Sequence, residues 1–171
     1  VPEEIFQYMS DSQHKLLPFF HIPLQSGSNS ILNKMRRRYT SEEYEDEIWK
    51  AFEAVPDICI GTDVMVGFPE EISKEFECTI NLLKKLPVAY FHVFPFSARK
   101  GTPAYYIEDQ VLPSVKNQRG EKLRKLSIQK RHEFNKRFLG EIRKVLWESP
   151  DSEGNISGYT DNYIRVILNE K

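Results

Sequence analysis

The sequence predicts an α/β fold: a portion of a β/α barrel with parallel strands, then a long helix and the beginning of a small antiparallel β domain. Three observations predict it. Short apolar, β-branched stretches alternate with helical periodicity at intervals of roughly 30–40 residues, the rhythm of right-handed βαβ crossovers. No phosphate-binding glycine loop follows the first strand, which disfavours a dinucleotide fold and leaves a barrel piece as the better fit. Beyond residue 112 the rhythm gives way to one long helical segment and three short β segments.

Each element has a local cause. Pro2 suits the first turn of a helix reaching to about Ser12. Leu16–Leu24 is an apolar strand whose prolines, Pro18 and Pro23, fit a strand lacking a neighbour on one side. Gln25-Ser26-Gly27-Ser28-Asn29 is a turn with a Ser or Asn helix cap, and a short helix runs from Ile31 to about Arg37. Thr40 and Glu43 form a capping box, and Tyr44, Ile48, Phe52 and Val55 recur on one helical face until Pro56 stops it. Ile58–Val66 reads as a buried parallel strand, broken by Gly67-Phe68-Pro69. Ser73 caps the next helix, which carries Phe76, Ile80 and Leu83 and ends at Pro87, and Ala89–Phe96 is the third strand. Residues 113–139 form one helix with Leu123, Leu126, Phe134 and Phe138 among its apolar positions, closed by Gly140. Ile142–Trp147, Ile156–Tyr159 and Tyr163–Leu168 start an antiparallel barrel but are too few to close one. The chain thus divides into residues 1–140 and 141–171.

Composition narrows the class. Of 171 residues, 40% are hydrophobic and 29% charged, the make-up of a globular chain. No apolar run approaches the roughly 18 residues of a membrane span. The acidic N-terminus is not a signal peptide, and the lack of an initiator methionine suggests an excised piece. Cys59 and Cys78 form neither a disulfide framework nor a metal cluster, and they read as buried, inert thiols in a reducing cytoplasm. The net charge of −1 is unevenly spread: residues 113–144 hold 11 cations against 3 anions, whereas residues 1–112 hold 11 against 17. Such a concentration is either a nucleic-acid footprint or a solvated helix face.

In β/α barrels the working residues lie just past the carboxyl ends of the strands. Here these are Gln25-Ser26-Gly27-Ser28, Gly67-Phe68-Pro69-Glu70-Glu71 and Ser97-Ala98-Arg99-Lys100-Gly101-Thr102, all polar or glycine-bearing after apolar strands. The Gln25 amide both donates and accepts, as a ligand contact or as a turn cap. Asp63 interrupts an apolar strand, so it is ligand-facing or locally hydrogen-bonded. Gly67 and Ser26 shape a pocket through their backbones or simply make tight turns. Arg99 contacts a substrate phosphate or orders its loop. His21 reads as a satisfied core histidine.

Four segments carry a resemblance: His21-Ile22-Pro23-Leu24-Gln25-Ser26-Gly27-Ser28, Met35-Arg36-Arg37-Arg38-Tyr39-Thr40, Asp63-Val64-Met65-Val66-Gly67-Phe68-Pro69 and Ser97-Ala98-Arg99-Lys100-Gly101-Thr102-Pro103-Ala104. In order and spacing they resemble the radical-SAM methylthiotransferase family. Gly158–Val166 resembles the start of that family's RNA-binding TRAM domain, and the most similar branch acts on threonylcarbamoyl-adenosine next to the tRNA anticodon. The resemblance implies the C-terminal part of an incomplete radical-SAM barrel followed by a TRAM-like domain. It implies an enzyme in which a 4Fe–4S cluster and S-adenosylmethionine generate a radical at C2 of the adenine, sulfur is inserted, and a second S-adenosylmethionine supplies the methyl group.

The resemblance also implies a cofactor pocket of Gln25, Ser26, Arg37, Asp63 and Gly67, with Arg99 toward the substrate. Arg37, or its neighbours Arg36 or Arg38, matches a position whose guanidinium fork grips the cofactor carboxylate; the other reading is a helix-end cation favoured by the macrodipole. The implied partners are the tRNA anticodon stem-loop and the missing N-terminal half of the same protein. Two departures stand out. Glu70 replaces a family glycine, which strains the backbone if φ is positive there. The Cys-x3-Cys-x2-Cys motif is absent, so this chain does not ligate a 4Fe–4S cluster and is inactive alone. Loss of the preceding strands should expose the first strand's edge and promote self-association. The alternatives are a sibling enzyme acting on an aspartate of a ribosomal protein, and a non-catalytic RNA-binding module.

Overall fold

A computed structural model describes residues 1–11 and 13–168. Three parallel strands form a sheet in the order β1-β2-β3: β1 is Phe19–His21, β2 is Cys59–Val66 and β3 is Tyr90–Pro95. Helices α2 (Asn29–Lys34) and α3 (Ser41–Ala54) connect β1 to β2, and α4 (Ser73–Lys85) connects β2 to β3. The first helix, α1 (Glu3–Ser10), packs on α3. Register places Phe19 beside Cys59, His21 beside Gly61, Gly61 beside Tyr90 and Asp63 beside His92.

Side chains alternate across a strand, so β2 presents two different faces. Ile60, Val64 and Val66 join Leu24 and Phe91 against Tyr44, Ile48 and Ala51 of α3 and Phe76, Ile80 and Leu83 of α4. Thr62, also on this face and fully buried, accepts the Tyr44 hydroxyl at 2.9 Å. The opposite face carries His21, Gly61, Asp63, Tyr90, His92 and Phe94. It is covered only at its amino-terminal end, where Cys59, Ala89, Tyr90, Phe134 and Phe138 cluster with Phe19 and Ile164. Towards the strands' carboxyl ends it is open.

Helix α5 (Pro113–Lys136) lies along β3. Leu123 enters the main core and Phe134 the second cluster. Ser127 Oγ accepts from the Phe91 N–H at 2.9 Å and donates to its carbonyl at 2.8 Å, tying the helix to the strand backbone. The basic character of α5 is largely absorbed by the fold. Lys116 donates to the Phe96 carbonyl, Arg119 to Glu71, Lys122 to Glu77 and Lys130 to the Leu86 carbonyl. Arg131 lies 3.8 Å from the Tyr90 ring centroid. The segment is thus neither a uniformly solvated face nor a free basic stripe.

Strands β4 (Val145–Trp147), β5 (Ile156–Thr160) and β6 (Arg165–Leu168) form an antiparallel sheet in that order. Its turn residue Tyr163, at φ 64°, stacks on Phe19 with centroids 4.1 Å apart and on Tyr159 at 4.8 Å. Arg143 binds Asp57, Asp161 and Glu141 and lies over the Phe138 ring. The small sheet is therefore fastened to the amino-terminal ends of the parallel strands.

Several boundaries differ from the sequence reading. The first strand shrinks from Leu16–Leu24 to three residues, because Pro18 and Pro23 bracket it and lack N–H donors. The short helix ends at Lys34, and Arg36 at φ 58° turns the chain away. Ser73 is already helical: Ile72 occupies the cap position with no side-chain cap, while Glu75 supplies the favourable first-turn charge. The long helix stops at Lys136, followed by turns up to Gly140 at φ 85°. The first helix ends at Ser10, and Ser12 lies outside the described residues. The Thr40–Glu43 capping box forms with both reciprocal bonds.

Candidate functional site

The turn after β1 is built against α4. Leu24 is buried and donates its N–H to Thr62 Oγ1 at 2.9 Å. Gln25 extends β1 by one bridge to β2: its N–H donates to the Asp63 carbonyl at 2.8 Å and its carbonyl accepts from the Met65 N–H at 2.9 Å. Its φ of 68° is in the left-handed region, and its amide has no hydrogen-bond partner among the described residues. Ser26 is fully buried, and its hydroxyl lies 3.4 Å from Thr79 Oγ1 and accepts from the Ser28 N–H. Its side chain therefore faces α4, and its N–H is taken by the Leu24 carbonyl at 2.9 Å. A Cβ on Gly27 would lie 2.6 Å from Thr79 Cα, so glycine is what allows the turn to approach the helix. Ser28 caps α2 and bonds Glu75.

Arg37 is exposed beyond α2. The Tyr39 hydroxyl donates to the Leu24 carbonyl at 2.9 Å, one residue before Gln25. Burial pushes this phenol's pKa up, and the nearby Arg37 charge pulls it partly back. Arg37 therefore stands at the same end of the sheet as Gln25. Asp63 is about a quarter exposed, with Oδ1 3.2 Å from His21 Nε2. His21 thus lies half-buried on the open face, not in the core as its apolar sequence context suggests.

The turn after β2 is held from beneath. Gly67 has φ 74° and donates its N–H to Glu71 Oε1 at 3.0 Å. Glu71 is 3% exposed and meets Arg119 Nη1 at 2.6 Å, which also reaches the Glu71 carbonyl at 2.8 Å. Burial raises the Glu71 carboxyl above its ordinary range, opposed by the Gly67 N–H and the Arg119 charge. The Lys116 stem crosses Gly67 where a Cβ would sit. Glu70 has φ 65°, so the strain expected at this departure is present; its carboxylate pairs with Lys34 at 2.9 Å. Arg99 is exposed, and it is its carbonyl that orders the loop, accepting from Thr102 N–H and Oγ1.

Gln25 thus bridges Val64 in the second half of β2, Asp63 lies one residue before that bridge, Gly67 follows the end of the strand, Arg37 stands at the same end, and Arg99 lies on the loop after β3. An amide, a carboxylate and a guanidinium suit a ligand bearing hydroxyl, amine and carboxylate groups. Nothing in the residue order marks His21 as neighbour to Asp63, nor Arg119 and Thr79 as supports. Cys59 is buried beneath the α5 aromatics, its thiol pushed up to about 12. Cys78 is only partly buried, contrary to expectation. Among the described residues no group of three or more His, Cys, Asp or Glu side chains is placed to hold a metal ion, and no helix is long and apolar enough to cross a membrane.

No family model matches the chain. It is similar to a threonylcarbamoyladenosine tRNA methylthiotransferase of Bacillus subtilis, at 39% identity over 98% of this chain and 38% of that protein. It is 41% identical to a tRNA-2-methylthio-N(6)-dimethylallyladenosine synthase of Thermodesulfovibrio yellowstonii, over 92% of the chain and 36% of the relative. A threonylcarbamoyladenosine tRNA methylthiotransferase of Aquifex aeolicus is 40% identical over 91% and 37%. The chain spans little more than a third of the length of these curated relatives.

Proposed function

We propose, on the premise that this chain belongs to the methylthiotransferase family, that it is the C-terminal part of a radical-SAM barrel with the start of a TRAM domain. The whole protein would methylthiolate C2 of a modified adenosine beside the tRNA anticodon, in the cytoplasm, with threonylcarbamoyl-adenosine as the favoured target. The supporting observation is the bridge from Gln25 to β2, in which the Gln25 backbone N–H meets the Asp63 carbonyl at 2.8 Å just past the end of β1.

The residues fit an adenosyl ligand. Neither the Gln25 side-chain amide nor the second Asp63 carboxylate oxygen has a partner among the described residues. They do not fit an iron–sulfur cluster: Cys59 is packed under Phe134 and Phe138, and Cys78 lies on α4. Bound S-adenosylmethionine, with a cluster ligated elsewhere in the protein, supplies the radical chemistry and the methyl group. Asp63 accepts from the ribose hydroxyls or the methionine amine. Arg37 takes the carboxylate bidentately. Gly67, under the Lys116 stem with its N–H on Glu71, acts by fixing the turn after β2, and Ser26 by fixing the turn after β1. Arg99 reaches for substrate phosphate. The free edge of β1 receives the preceding strands of the barrel; alone, it promotes pairing between copies.

The test compares the intact protein on tRNA carrying threonylcarbamoyl-adenosine, on tRNA carrying dimethylallyl-adenosine and on ribosomal protein, with methylthio products read by mass spectrometry. Product on the first tRNA is expected. Salt-dependent RNA binding with no affinity for S-adenosylhomocysteine would replace the enzyme with a binding module.

A further inference from the structure

We propose that His21 is a positioning residue that fixes the Asp63 carboxylate for ligand binding; this rests on the reading of Asp63 as an adenosyl contact. His21 and Asp63 stand on adjacent strands and the same sheet face, because His21 pairs with Gly61 and Asp63 lies two residues further along β2. The imidazole reaches the carboxylate across Gly61. A Cβ there would lie 2.8 Å from His21 Nδ1, 2.7 Å from Tyr90 Cζ and 2.8 Å from Tyr90 Oη. Glycine at position 61 is thus the space into which both rings settle. The ring centroids of Tyr90 and His92 lie 6.3 and 6.0 Å from that of His21, confining it from the β3 side.

The contact distinguishes the two carboxylate oxygens. His21 Nε2 lies 3.2 Å from Asp63 Oδ1, close enough for the imidazole to hold that oxygen in place. Oδ1 faces the imidazole and Oδ2 remains for a ligand hydroxyl or ammonium. A carboxylate on a half-open face otherwise samples several rotamers, and anchoring one oxygen removes that freedom before the ligand arrives. The His21 contact is to the binding side chain, not to the ligand, so His21 acts through Asp63.

The experiment measures S-adenosylhomocysteine affinity of the intact protein by calorimetry, with melting temperature in parallel. Asp63→Ala is expected to weaken binding tenfold or more, and His21→Leu, which removes the group facing Oδ1, by about tenfold. His21→Gln keeps a donor near the Nε2 position and is expected to stay within about threefold of the parent. Combining His21→Leu with Asp63→Ala should add nothing further. Should His21→Leu fold poorly, His21→Asn, polar but too short to reach the carboxylate, carries the same expectation. Wild-type affinity in His21→Leu, with Asp63→Ala impaired, overturns the positioning role alone. Wild-type affinity in Asp63→Ala overturns the reading of Asp63 itself.

Discussion

Replacing Arg119 with methionine removes a cation from beneath the β2 turn while keeping most of its apolar stem. Glu71, 3% exposed, would keep only the Gly67 N–H. Removing one partner of a buried ion pair destabilises by about 3–5 kcal/mol. Here protonation sets a ceiling. From a carboxyl's ordinary value of 4.5, neutralising Glu71 at pH 7 costs at most ~3 kcal/mol at ~1.36 kcal/mol per pH unit, and its raised pKa lowers that ceiling. The lost bond to the Glu71 carbonyl adds about 1–1.5 kcal/mol. The expected total is ~3–4 kcal/mol, read by urea unfolding.

The pH dependence gives the prediction its sign. A carboxyl whose folded pKa is raised makes the native state bind more protons. Its contribution is therefore most favourable below the unfolded value and is lost as pH rises through the folded value. Without Arg119 the folded pKa rises further, so the Arg119→Met deficit should narrow as pH falls from 7.5 to 5.5. Adding Glu71→Gln should recover part of the loss at pH 7.5 and abolish the narrowing. A deficit below ~1 kcal/mol, or one equal at both pH values, would refute the account of a buried, charge-dependent latch.

Two further outcomes follow from the backbone and the thiols. Glu70→Gly relieves a left-handed residue worth about 1–2 kcal/mol and loses a half-exposed ion pair to Lys34 worth about 0–1, so the urea midpoint should hold or rise; a clear fall would show that the ion pair dominates. At pH 8 iodoacetamide should modify Cys78 well before Cys59, whose thiol is held near 12 by burial, and peptide mapping that finds Cys59 labelled in the native protein would contradict that packing.

The legible parts of the fold were those whose cause is local. The β-branched run before Gly67 announced β2, and Thr40 with Glu43 announced the start of α3. The strand–helix rhythm announced the parallel pairing, which the register bears out. What stayed hidden depends on partners distant in the chain. Arg119 and Glu71 are 48 residues apart, and nothing in a basic helix marks which cation will be buried. Ser26 looked like a pocket residue because its neighbours are glycine and polar, yet Thr79, 53 residues away, turns it inward. His21 sat in an apolar stretch, and only the pairing with Gly61 puts it on the open face beside Asp63.

The Phe19–Tyr163 stack sets a length scale within the fold. It anchors the antiparallel sheet at the tail of the parallel strands, whereas Gln25 and Gly67 lie at their head. Phe19 pairs with Cys59 and Gln25 with Val64, five residues further along β2, which is roughly 17 Å at ~3.3 Å per residue. A ligand only a few ångströms across reaches one end of the strands and not the other, so the fold keeps the anchor of the small sheet and the Gln25 turn apart.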